Sequence, residues 1–101
     1  MSDKDFFEEV TRIMNFIAFT IEEKDVNGEI DVDINGEILH LATKNGIFVI
    51  NRQPSIQEIW LSSPVSGPYH FAFLNGKWFT KSGAELFTVL SRDLAIEIRP
   101  E

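Results

Sequence analysis

From Phe6 onward, apolar residues recur at helical spacing: Phe6, Val10, Ile13, Met14, Ile17 and Ile21, with no Gly or Pro before Gly28. The period predicts a first helix over about residues 3–24. Ser2 stands where an N-cap belongs, and Asp5 supplies an acid in the first turn. At Glu29 the period changes to two. In EIDVDI, Ile30, Val32 and Ile34 face one way, and Glu29, Asp31 and Asp33 the other. Asn35-Gly36 then signals a two-residue hairpin, and EILHLAT returns as the second strand. After a turn at Lys44-Asn45-Gly46, four more strands follow as IFVIN, QEIWLS, YHFAF and KWFT, with Asn75-Gly76 turning the last pair. Ser82-Gly83-Ala84-Glu85 matches a capping box and predicts the start of a second helix, with Leu86, Phe87, Val89, Leu90 and Leu94 apolar. The tail AIEIRPE alternates briefly and is expected to lie extended along the core.

The order helix, six antiparallel strands, helix implies an α+β two-layer sandwich. Both terminal helices cover one face of the sheet and leave the other open to solvent. The 101 residues suit a single domain spanning 1–101, and nine Phe within 44% hydrophobic content argue for a real core. There is no cysteine, which excludes disulfides, a thiol nucleophile and Cys-held zinc or iron–sulfur sites within this chain. No apolar run approaches the ~20 residues that span a bilayer. The acidic start MSDKDFFEEV does not read as a secretory or transit leader, so a cytoplasmic protein is expected.

Charge changes the picture further. Residues 1–37 hold eleven acids against three bases, a local charge of −8, while the rest of the chain carries +1. Such a surface disfavours nucleic acid as a partner and favours cations or a basic protein surface. A solvated face that only keeps the protein soluble is the plainer alternative.

One residue of the strand region is hard to place. Trp60 shares a face with Glu58 and Ser62, opposite Ile59 and Leu61, so alternation puts the largest side chain on the wet face. There it would be an interface anchor, or it would fold over a sheet edge or under the PVSGP loop. INRQ, EIWLSSP and SGPYHF, in that order behind an acidic helix and an acidic first strand, resemble the frataxin family, in particular its bacterial CyaY-like members. The resemblance runs from Phe6 to the second helix. It implies the same α–β sandwich, weak iron binding by an acidic ridge on the first helix and strand, and attachment to the cysteine desulfurase and scaffold protein of iron–sulfur cluster assembly. It also implies that Asn51, Gln53 and Trp60 contact that machinery, which favours the interface reading of Trp60. His70 alternates away from Tyr69 and Phe71, and is a candidate partner contact on the same face.

Iron accepts carboxylate oxygen, and geometry decides which acids can cooperate. Along a helix Glu8 and Glu22 lie roughly 21 Å apart and cannot share an ion. The acids therefore divide into a distal group, Asp3, Asp5, Glu8 and Glu9, and a proximal group, Glu22, Glu23, Asp25, Glu29, Asp31 and Asp33. Only the proximal group combines helix-end and strand carboxylates, and it is the expected iron-binding set. A turn centred on Asn35-Gly36 would set His40 opposite Asp31 as a possible mixed ligand pair, though such a pair is more often an ordinary surface contact. Residues 10–21, VTRIMNFIAFTI, lack the acids frataxins commonly carry there. Phe16 and Phe19 project away from the core stripe, either as an exposed contact pair or packed under the tail.

The leading expectation is a non-enzymatic iron carrier or regulator of cluster assembly, monomeric, with iron-dependent oligomers as the exception. A weak ferroxidase and an acidic interaction module with incidental metal binding are the alternatives.

Overall fold

The computed structural model describes residues 1–100; Glu101, the last residue of the predicted extended tail, lies outside the described residues. The first helix, α1, runs Asp3–Lys24, with Ser2 accepting the Asp5 N–H at its start and the Asp25 N–H bonding to Ile21 at its end. Its buried stripe is the predicted one, with Thr20 added. Six strands follow: β1 (Asp31–Asn35), β2 (Ile38–Thr43), β3 (Gly46–Gln53), β4 (Glu58–Ser63), β5 (Gly67–Leu74) and β6 (Lys77–Phe79). They pair in sequence order as one antiparallel meander. A turn of 3-10 helix at Pro54–Ile56 joins β3 to β4, and the second helix, α2, spans Leu86–Leu94.

The inner face of the sheet, with Leu39, Leu41, Phe48, Ile50, Ile59, Leu61, Phe71 and Trp78, forms one core cluster with both helices and with Ile98 of the tail. The tail is pinned by Ser91, whose hydroxyl accepts from the Ile98 N–H at 2.9 Å and donates to its carbonyl at 3.3 Å. Phe16 and Phe19 part company. Phe16 meets Phe87 of α2 edge to face at 5.8 Å, while Phe19 stays 62% exposed.

Two local expectations need correction. Ser82 does not cap α2, because Gly83 takes φ +93° and closes a tight turn back to Thr80. The helix begins one turn later, and Glu85 is itself the N-cap, its carboxylate accepting from the Phe87 and Thr88 N–H groups. The first hairpin is also displaced. Asn35 closes the ladder against Ile38, so Gly36 and Glu37 are the central turn residues and only Gly36 takes positive φ. At Asn75-Gly76, by contrast, both turn residues take positive φ, as an Asn-Gly type I′ turn requires. Moving the first turn by one residue changes each pairing by two and leaves every side chain on its face, so alternation alone does not select between the registers. The strand's start does. Asp25 accepts the Glu29 and Ile30 N–H groups at 3.0 and 2.8 Å, and pairing opens at Asp31 against Ala42.

Sequence reading also passed over Arg52, which lies inward on β3 with its side chain 3% exposed. It donates to Thr11 of α1 at 2.7 Å, lies 3.7 Å from Glu37 and sits 4.3 Å over the Phe7 ring. Its Nε is buried without a partner, so much of what Arg52 contributes is packing by its stem and ring contact. Arg52→Met is expected to keep stability within about 1 kcal/mol of the parent, whereas Arg52→Ala costs about 3 kcal/mol, as read by chemical denaturation.

Candidate functional site

The uncovered face of the sheet carries the candidate contact residues. Cross-strand pairing sets Asn51 beside Trp60 and Trp60 beside His70, in one row across β3, β4 and β5. Trp60 does not fold under the loop between β4 and β5. Its ring lies parallel to the His70 imidazole, centroids 3.9 Å apart and planes within 8°. The indole N–H donates to Glu58 at 2.8 Å. Two residues further along β3, the Gln53 amide donates to Asn51 at 2.9 Å. Indole, imidazole and two amides are thus held in place, so a molecule docking here would order few side chains. A groove of about 670 Å³ runs beside the stack, lined by Ile56, Glu58, Trp60, Pro68, His70 and Lys81 among others. Toward β1 the same face turns apolar, with Ile38 and Ile47 exposed.

The rim of this groove is fixed from below by a network that sequence reading missed. Asp93 of α2 is buried and accepts from Ser63 at 2.8 Å, from Ser66 through a short hydrogen bond, and from Arg92 at 3.0 Å. Ser63 in turn accepts the Val65 and Ser66 N–H groups, and the Tyr69 hydroxyl donates to Ser66. The turn between β4 and β5, with Tyr69 at the start of β5, is therefore tied to α2. Burial alone would push the Asp93 carboxyl up; hydrogen bonds from Ser66 and Ser63 and the Arg92 guanidinium outweigh it and hold the group below the usual carboxylate range. A signal was present in the sequence: Leu86, Val89, Leu90 and Asp93 share one helical face, so an acid sits at a core position.

The acidic edge is more dispersed. Glu22 and Glu23 are exposed at the end of α1, and Glu29, Asp31 and Asp33 are exposed before and along β1. Asp25 differs, since both its oxygens accept backbone N–H groups, which leaves it a structural cap. Asp31 and Asp33 project to the open face, away from the helical layer that carries Glu22 and Glu23. Among the described residues no three His, Cys, Asp or Glu side chains stand together as a metal site. His40 pairs with Asp33 rather than Asp31, its Nδ1 at 4.0 Å from the carboxylate, as the displaced hairpin dictates. In the distal group, Glu9 is engaged by Arg12 at 2.6 Å and Asp3 receives the Gln57 amide at 3.3 Å. This edge can attract a hydrated cation electrostatically and lend it a few oxygens at a time; it does not enclose one. No helix among the described residues is long and apolar enough to cross a membrane.

Comparison with known proteins agrees with the fold. A family model described as a frataxin-like domain matches residues 1–99. The chain is similar to the frataxin of Psychromonas ingrahamii, studied as a member of the CyaY family, at 29% identity and a TM-score of 0.87, covering 99% of this chain and 100% of that one. It is also similar to a trimeric frataxin from the yeast Saccharomyces cerevisiae complexed with ferrous iron, at 32% identity and a TM-score of 0.80, covering 89% of this chain and 85% of that one. A trimeric form of the yeast protein with its full-length N-terminus gives 30% identity and a TM-score of 0.78, covering 89% and 78%. With the helix–meander–helix fold and a domain match over nearly its whole length, this chain belongs to the frataxin family.

Proposed function

We propose that this protein binds iron weakly and acts on iron–sulfur cluster assembly as an iron carrier or regulator of the cysteine desulfurase–scaffold complex, without catalysing a reaction itself. The observation that carries this reading is the prearranged open face, Asn51, Gln53, Trp60 and His70, beside an acidic edge in a member of the frataxin family. Iron is cargo in this scheme. The ferrous complex of the yeast relative supports iron as the metal, and the trimeric state of the yeast protein supports oligomers as the exception to a monomer. The dispersed carboxylates favour a second reading, a docking module whose metal binding is incidental. Desulfurase turnover measured with and without the protein at fixed iron separates the two. An effect that scales with iron supports the carrier or regulator, and an effect without iron supports the module. Ferrous oxidation above the buffer rate would instead show a ferroxidase.

The two acidic groups give a further expectation. Amides at Glu22, Glu23, Asp31 and Asp33 should weaken iron binding about tenfold, or ~1.4 kcal/mol, whereas amides at Asp3, Asp5, Glu8 and Glu9 leave it nearly intact. Relief of like-charge repulsion should make the first variant more stable than the parent at low salt, a gain that shrinks as salt is added. Iron titration followed by amide-resolved NMR reads the first effect and thermal melts the second. A response that begins at the distal end of α1 would sink the division.

A further inference from the structure

The stack on the open face contains an imidazole, that of His70. Imidazole is the side chain that switches between neutral and cationic forms in the physiological range. His70 is exposed and lies flat on Trp60, and the other ionisable groups lining its groove are Glu58 from β4, Tyr69 from its own strand, and Lys81 just beyond β6. Glu58 is committed to the Trp60 N–H, and Tyr69 points to the other side of the sheet, its hydroxyl bonded to Ser66. The other described histidine, His40, is on β2 beside Asp33, in the neighbouring cross-strand row.

Two effects of docking act on this imidazole with the same sign. A partner that covers the stack strips water from it, and desolvation disfavours the cation. A partner drawn to the acidic edge carries positive charge, which repels the imidazolium. We propose that His70 makes docking at the open face proton-gated: the neutral imidazole stacked on Trp60 is the docking-competent form, and its protonation weakens the complex. This inference rests on the reading that the desulfurase–scaffold complex docks at this face. It adds that local acidification releases the protein from that complex.

In the free protein, the indole N–H signals of Trp60, stacked and half-buried, and Trp78, in the core, should separate by NMR. The Trp60 signal should titrate in step with the His70 ring protons, and the Trp78 signal should not. Affinity for the desulfurase–scaffold complex should rise about fivefold from pH 6 to pH 8. His70→Phe, which keeps a ring for stacking and removes the proton, should abolish that slope whatever its absolute affinity, and His40→Gln should retain it. An unchanged slope in His70→Phe, or a Trp60 signal that ignores the His70 titration, overturns the gate. Binding with no slope in the parent also overturns the gate alone. An absence of binding at both pH values overturns the docking reading beneath it.

Discussion

Asp93→Ala is expected to lower the stability of the protein by about 3 kcal/mol, among the larger effects of a single side chain outside the apolar core. The carboxylate is only 1% exposed, and its removal strands the buried Ser63 hydroxyl and frees the turn between β4 and β5. For a domain of about this size the melting temperature should fall by roughly 12–24 °C. Asp93→Asn keeps an acceptor and should cost about half as much. The sign of the pH dependence follows from the lowered folded-state pKa. At acid pH the unfolded chain binds more protons than the folded one at this site, so stability rises with pH there. The contribution of Asp93 is fully present above the ordinary carboxylate value and is lost as pH falls through the lowered folded value. Asp93→Asn should flatten that acid limb while leaving the slope near neutrality unchanged. A variant as stable as the parent, or one with an unchanged acid limb, would show that the network does not hold the loop.

Periodicity located α1 to the residue, because an uninterrupted apolar stripe bounded by Ser2 and Gly28 leaves little freedom. It also placed Trp60 and His70 on the open face, since alternation survives any local shift in pairing. It failed where distant atoms decide. The first hairpin has two registers compatible with alternation, and the choice depends on how Asp25 holds the chain before β1. The start of α2 depends on the turn from Thr80 to Ala84, which competes with a capping box for the same residues. Asp93 and Arg52 were missed because each is a charged residue at an inward position, paired with residues 30 and 41 positions away in sequence. The acidic edge could be counted from composition, yet its division between two layers is visible only once the sheet is in place.

Trp60→Ala is expected to separate docking from stability. Its ring is half-buried on the solvent face, stacked on one imidazole and bonded to one carboxylate. Truncation removes a stacked pair worth ~0.5–1.5 kcal/mol and opens no cavity in the core, so the loss of stability should stay below about 1.5 kcal/mol. The core position Trp78 makes the contrast. It is 2% exposed and meets Phe6 and Phe73 edge to face, and its truncation should cost the usual ~3–5 kcal/mol. At a docking face, an indole already fixed by His70 and Glu58 loses little entropy on burial and has the character of a binding hot spot. Affinity of Trp60→Ala for the desulfurase–scaffold complex should therefore fall by about 2 kcal/mol or more, roughly thirtyfold. Chemical denaturation and a binding isotherm on the same preparation decide the matter. A large loss of stability with unchanged affinity would assign Trp60 to the architecture of the sheet, and the open face would need another anchor.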